Sequence, residues 1–153
     1  MLSLVKSFYV GEFERSLDDK CRLSLPSKWR SADEENGASF LALPNPVGCI
    51  TVYPPKMISR LEEKVSNVSL GDQVGQQALA KLFSQADTFE CDTKGRMKIE
   101  ERLVRHADIH GDVLMIGSYV TFHIWNPKRF RAYLQQPITE GDEMSLILKS
   151  IGL

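Results

Sequence analysis

Short alternations of apolar and polar residues, each closed by a turn signal, organise the chain. Over Gly11 to Asp18 the positions Phe13, Arg15 and Leu17 fall on one side, the spacing of a half-buried strand. Asp18 to Arg22 follows as a turn, with an Asp at its entry placed to accept backbone N–H groups two residues on. Leu23 and Leu25 then point inward while Arg22 and Ser24 point outward. Pro26 ends that strand and suits the first turn of a short helix, Pro26 to Ala32. Phe40 to Leu43 and Cys49 to Tyr53 are two β-like runs around Pro44-Asn45-Pro46-Val47-Gly48, a hairpin signal. Beyond Pro54 and Pro55, the spacing of Met57, Ile58, Leu61 and Val65 predicts a helix over Lys56 to Val65. After a break at Gly71, Val74, Ala78, Leu79, Leu82 and Phe83 predict a second over Gln73 to Ala86.

The second half replays this order. Phe89 to Asp92 reads as a strand, Thr93 to Arg96 as its turn and Met97 to Ile99 as the returning strand. A helix over Glu100 to Ala107 comes next. Val113 to Ile116 then pairs with Phe122 to Trp125 through Gly117-Ser118-Tyr119, and Pro127 to Leu134 is the last clear helix. The replay is literal at two places. Asp18-Asp19-Lys20-Cys21-Arg22-Leu23-Ser24-Leu25 returns as Asp92-Thr93-Lys94-Gly95-Arg96-Met97-Lys98-Ile99, at an offset of 74 residues. Val52-Tyr53-Pro54-Pro55-Lys56 returns as Ile124-Trp125-Asn126-Pro127-Lys128, at an offset of 72. Two separated matches at nearly one offset mark an internal repeat, and so a two-lobed scaffold. The tail from Pro137 begins polar and ends in Leu146, Ile147, Leu148, Ile151 and Leu153. It is either a docked helix or a contact between subunits.

Composition narrows the function. At 153 residues, 42% hydrophobic and 25% charged, the chain is an ordinary globular protein of one compact domain or two small lobes sharing a core. No apolar run approaches the roughly 20 residues a membrane helix needs. The first ten residues carry only Lys6 as a cation and no small-residue cleavage site, so no secretory signal is expected and the cytoplasm is the default. Cys21, Cys49 and Cys91 are widely spaced with no C-x-x-C pair, which fits free thiols in a reducing compartment. Cys91 falls at an apolar position and reads as a small buried hydrophobe. Net charge is −1, which argues against a single subunit that binds nucleic acid tightly on its own. An oligomer can multiply weak contacts through effective concentration.

Catalytic patterns are missing from the sequence. His106, His110 and His123 form no metal-ligand pattern with nearby Cys or carboxylates, and His123 is expected on the polar side of its strand. No phosphate-binding loop or nucleophile elbow is present, and Glu34-Glu35, Glu62-Glu63 and Glu100-Glu101 read as solvated faces. No catalytic residue, cofactor or metal ligand is assigned. What remains is the repeated turn. Asp18 with Arg22, and Asp92 with Arg96, could simply pair and fix the turn geometry, an exposed pair being worth about 0.2–1 kcal/mol. Alternatively Lys20, Arg22, Lys94 and Arg96 stand at two hairpin tips, flanked by outward Arg15 or Lys98. There they reach phosphates, with a two-stranded ribbon fitting a major groove. The two readings are compatible, with each Asp orienting the Arg that binds. Gly95 reads as a positive-φ position, and its counterpart Cys21 as a substitution tolerated in a surface turn.

At this point the chain resembles the MraZ family. The resemblance rests on Leu17-Asp18-x-Lys20-x-Arg22-Leu23-Ser24-Leu25-Pro26 with Trp29-Arg30 behind it, on Cys91-Asp92-x-Lys94-Gly95-Arg96, and on Ile124-Trp125, and it covers roughly residues 9 to 134. It implies an α+β fold, a helix-capped double-split β-barrel (pseudobarrel) built from two tandem SpoVT-AbrB-like repeats, here 12–59 and 86–129. It implies a ring-shaped homo-oligomer that binds double-stranded DNA, and a bacterial repressor of short direct repeats upstream of its own cell-division and cell-wall operon, cytoplasmic and associated with the nucleoid. The DNA-binding positions it implies are Asp18, Arg22, Asp92 and Arg96, with Lys20 and Lys94 at the intervening basic position; Arg15 joins them from the residue reading alone, as the outward cation beside the first turn. Cys21 stands where the family usually has Gly or Asn, and Glu100 where a proline often follows the second strand. Acidic Glu12, Glu14 and Asp19 weaken the positive field of the first turn. The competing reading is a non-catalytic protein-interaction module, antitoxin-like, on the same barrel.

Overall fold

The computed structural model describes residues 8–30, 39–137 and 141–153. In chain order its elements are β1 (Glu12–Ser16), β2 (Arg22–Ser24), a 3-10 turn (Ser27–Trp29), β3 (Phe40–Asn45), β4 (Cys49–Tyr53), α1 (Pro55–Ser66) and α2 (Gln73–Phe83). These are followed by β5 (Asp87–Phe89), β6 (Arg96–Lys98), α3 (Glu101–His106), β7 (Asp112–Gly117), β8 (Phe122–Trp125), α4 (Pro127–Gln135) and α5 (Glu143–Ser150). The class is α+β, with antiparallel sheets and, among the described residues, five α-helices.

Six strands form one sheet in the order β1-β7-β8-β4-β3-β5, and β2 pairs with β6 in a separate two-stranded ribbon. Exchanging β1–β4 for β5–β8 turns the first order into its own reverse and leaves the second unchanged. The repeat in the sequence is therefore a pseudo-two-fold in space, with its axis between β4 and β8. The halves are interlaced. β1 pairs with β7, matching Glu12 with Ile116 and Ser16 with Asp112, and β5 pairs with β3, matching Phe40 with Phe89. Each half thus lends its first strand to the hairpin of the other.

This crossing corrects one expectation. β1 and β2 are not the two strands of a hairpin. Asp18 N–H donates to the Arg22 carbonyl (3.0 Å) and closes the turn, but pairing stops there, and β1 and β2 continue into different sheets. The cause is burial. Leu23 and Met97, opposite each other in the ribbon, are both 0% exposed, and Leu25 and Ile99 extend the same inner face. β2 and β6 can bury that face against the large sheet only by pairing with each other.

The large sheet is covered on both sides. Val52, Val113, Met115, Phe122 and Ile124 point to the ribbon and form the main core with Trp29, Leu23 and Met97. The alternate positions Cys49, Leu114 and Trp125 pack with Phe130 of α4. Leu43 packs with Leu61, Leu82 and Leu148 of α1, α2 and α5. Double burial explains why the strands read as short apolar runs rather than clean alternation. It also settles the tail, because α5 docks on α2 and the apolar end of the chain is a packed helix. The second literal repeat has a local meaning too. Pro54-Pro55 and Asn126-Pro127 each turn a strand into a helix with proline in its first turn.

Three boundaries differ from expectation. Of the helix expected over Pro26 to Ala32, the described residues, which end at Arg30, hold only the 3-10 turn, after which Arg30 is extended (φ −79°, ψ 132°) because Trp29 is anchored in the core. Ser31, Ala32 and the Glu34-Glu35 pair lie outside the described residues. α2 stops at Phe83, not Ala86. The strand expected over Phe89 to Asp92 lies upstream as β5, because Phe89 stacks on Phe40 (centroids 5.4 Å apart) while Asp92 is taken by the turn.

Candidate nucleic-acid interface

The two turns have the same geometry. Asp18 Oδ1 accepts the backbone N–H groups of Lys20 (2.9 Å) and Arg22 (2.8 Å), and Oδ2 accepts Nε–H of Arg22 (2.7 Å). Asp92 Oδ1 accepts those of Lys94 (2.9 Å) and Arg96 (2.9 Å), and Oδ2 accepts Nε–H of Arg96 (2.8 Å). A carboxylate that accepts three donors is stabilised in its charged form. Both Asp side chains are accordingly held below the usual carboxylate range, first by the backbone N–H of the following Arg and then by its side chain and the Lys N–H. The pairing of each Asp with its Arg is therefore present, and it fixes the orientation of the guanidinium. Each Asp engages only Nε, so the Nη edge of each guanidinium has no acceptor among the described residues. A guanidinium edge held in this way matches phosphate and guanine acceptors.

Arg22 stands opposite Lys98 across the ribbon, and Ser24 opposite Arg96. Leu23 and Met97 alternate with them on the buried side, so the outer face presents Arg22, Ser24, Arg96 and Lys98 together. A two-stranded ribbon with a cationic face does exist, as the major-groove argument requires, but it takes one strand from each half. Leu25 N–H to the Gly95 carbonyl (2.9 Å) and Ile99 N–H to the Cys21 carbonyl (2.8 Å) extend it at both ends. The turns frame it, roughly 13 Å apart at about 3.3 Å per residue.

At the residue before each motif Arg the backbone is left-handed: φ is +59° at Cys21 and +75° at Gly95. Glycine carries this conformation without strain, whereas cysteine does not. Cys21 is half-buried rather than on an open surface turn, which corrects that expectation. It lines a groove of about 570 Å3 with Asp19, Lys20, Asp87, Lys98 and Glu100. Gly95 is buried beneath Arg30, whose Nη2 donates to the carbonyls of Leu25 (3.2 Å) and Lys94 (3.3 Å). A Cβ on Gly95 would fall inside the Arg30 guanidinium.

Of the expected site residues, the structure brings Arg22 and Arg96 onto one face with Lys20 and Lys94 exposed at its two ends. Arg15 sits elsewhere. It lies on β1 in the large sheet, its guanidinium over the Phe13 ring (5.5 Å) and Nη1–H donating to the Glu14 carbonyl (2.8 Å). The sequence places Lys98 as a flank and Ser24, its counterpart, on the outward side of its strand, without joining the two to the arginines on one face, and it assigns Arg30 no part in the site. Nothing in the sequence signals that Arg30 reaches a residue 64 positions away. His123 is half-buried with Nδ1 2.8 Å from Ser118 Oγ, and burial pushes its pKa down. Cys91 is half-buried against the main core. Among the described residues no helix is long and apolar enough to cross a membrane, and no group of His, Cys, Asp and Glu is arranged to hold a metal ion.

Fold and site together define a tandem-repeat α+β scaffold whose two interlaced halves frame a cationic ribbon with a pair of Asp–Arg turns. The chain belongs to the MraZ family. Residues 82–146 match the family model described as "MraZ protein, putative antitoxin-like". It is 30% identical over 145 residues to the transcriptional regulator MraZ of Pediococcus pentosaceus, covering 95% of this chain and 99% of the relative. To that of Heliobacterium modesticaldum it is 30% identical over 137 residues, 90% and 94% of the two chains. To that of Halothermothrix orenii it is 28% identical over 145 residues, 95% and 99%.

Proposed function

We propose that this chain is a cytoplasmic, nucleoid-associated transcriptional repressor that assembles into a ring. Each subunit sets its basic ribbon and flanking turns against short direct repeats upstream of its own cell-division and cell-wall operon. One observation carries the reading: two superimposable Asp–Arg turns bracket one solvent-facing ribbon whose side chains are Arg22, Ser24, Arg96 and Lys98. A catalytic site has no use for that symmetry, whereas a repeating polyanion does. The names of the relatives support the regulatory role, and the family resemblance supplies the ring and the operon. The interlaced strand order supports a double-split pseudobarrel over the repeats 12–59 and 86–129. With a net charge of −1, affinity comes from several ribbons engaging several repeats at once.

The antitoxin-like description of the family favours one other reading, a protein binder in which the two arginines are idle. Fluorescence anisotropy separates the two. A duplex from upstream of the chain's own gene is titrated against one of scrambled sequence, with wild type and the Arg22→Ala, Arg96→Ala double variant. Tight, salt-sensitive binding to the first duplex, lost in the variant while its oligomer persists, is the expected result. Equal binding to both duplexes would overturn the repressor reading.

A further inference from the structure

We propose that the two turns are unequal, and that the dominant phosphate-binding site is the second turn, completed by Arg30 from the first half of the chain. The inference rests on the DNA-binding reading above and specifies which part of the surface carries it.

The argument begins with distance. The turns stand roughly 13 Å apart, beyond the screening length of about 8 Å at physiological ionic strength. Each is therefore governed by the charges immediately around it. Because the halves are interlaced, most of those charges come from the other half. The groove beside Cys21 is lined by Asp19, Asp87, Glu100 and Glu101 against Lys20 and Lys98. The matching positions around Gly95, 74 residues away in the repeat, are Thr93, Phe13, Pro26 and Ser27. Every acid of the first groove thus maps to an uncharged residue. Glu14 is the carboxylate the same correspondence brings in return, in the place of Thr88, and Arg15 comes with it in the place of Phe89.

Arg30 completes the contrast. Its counterpart is Val104, so only the second turn carries this cation. Trp29 sets it in place: the ring is buried edge-on to Phe13 (5.1 Å) and Tyr9 (5.5 Å), and the indole N–H donates to the Val10 carbonyl (3.0 Å). The exposed Arg30 guanidinium lies across Gly95 with Nη2 tied to two carbonyls, and Nε and Nη1 have no acceptor among the described residues. Arg30, Lys94 and the Nη edge of Arg96 are the cations this turn offers an anion, and its carboxylate is already held by Arg96. An anion at the first turn instead meets four carboxylates. Gly95 serves both ends, because any side chain there would displace the arginine.

The experiment uses the assembled full-length chain and the upstream duplex, with affinity measured over a salt series. Lys94→Gln is expected to weaken binding about tenfold, the loss of one charge-assisted contact, and Lys20→Gln by about twofold or less. Arg30→Gln should match Lys94→Gln and lower the slope of log affinity against log salt by about 0.9 per bound subunit. Arg30→Lys, which keeps the charge, should restore that slope. If Arg30 only braces the turn, Arg30→Gln lowers thermal stability and leaves the slope unchanged, which overturns the proposal. A loss in Lys20→Gln as large as in Lys94→Gln also overturns it. Failure of the wild type to bind any duplex would remove the DNA-binding reading itself, a result separate from these.

Discussion

Asp18–Arg22 and Asp92–Arg96 make the same five hydrogen bonds to within 0.1 Å, yet they stand in different surroundings. One has a left-handed cysteine beside a groove rich in carboxylates, the other a left-handed glycine under an arginine. Contacts inside a turn are set by its own five residues and survive duplication unchanged. Its field is set largely by what the fold packs against it, and here that is mostly the opposite half. Local motif and local environment therefore have separate origins in this chain.

The largest effect we expect erases the comparison. Met97 lies with Leu23 on the buried floor that both turns share. Met97→Ala should cost about 2–5 kcal/mol and lower the stability of both turns together, seen as one cooperative shift in urea unfolding. Two separate transitions would show that the turns do not share a floor. Exchanging the left-handed residues has smaller and opposite effects. Gly95→Cys should destabilise by about 1–3 kcal/mol, since it strains the backbone and expels Arg30. Cys21→Gly relieves strain of about 1–2 kcal/mol and offsets it with about 0.5–1 kcal/mol of added chain entropy, a net gain of about 0–1.5 kcal/mol. Equal losses in both variants would contradict the asymmetry.

The smallest difference is expected in acid. Both aspartates have folded pKa values below the unfolded one, so their stabilisation is fully present above about pH 4 and is lost as pH falls through the depressed values. Because the first cause is the same backbone N–H in each turn, the two should titrate alike in carboxyl NMR. An Asp18 that titrates in the ordinary range would break the equivalence of the internal contacts.

Most of the fold was legible in the sequence because it lies in local signals. Proline at Pro55 and Pro127, the Asp–Arg turns and the apolar runs of the central strands each act within a few residues. The same is true of the turn geometry, and so Asp18, Arg22, Asp92 and Arg96 could be named with their partners. What was not legible depends on crossing between halves. Periodicity says that β1 and β2 are strands but not that they part company after Asp18, since the reward for parting is Leu23 against Met97, far along the chain. Arg30 escaped for the same reason. Its neighbours Leu25 and Trp29 gave an ordinary local reading, and its contact with Lys94 exists only once β2 and β6 have paired. The strand placed at Phe89 to Asp92 slid to Asp87–Phe89 because its register answers to Phe40.

The exchange of first strands has one more consequence. A sheet whose halves each supply the other's edge is, in geometric terms, a symmetric dimer written on one polypeptide, joined between β4 and β5. Two separate identical subunits would have to carry the same residue at both copies of every position. A strained or acidic turn would then be strained or acidic twice. The covalent join lifts that constraint. It keeps the partner at a high, constant effective concentration and lets each copy specialise. Cys21 can differ from Gly95, Glu100 from Pro26 and Val104 from Arg30, while the floor of Leu23 and Met97 stays common property.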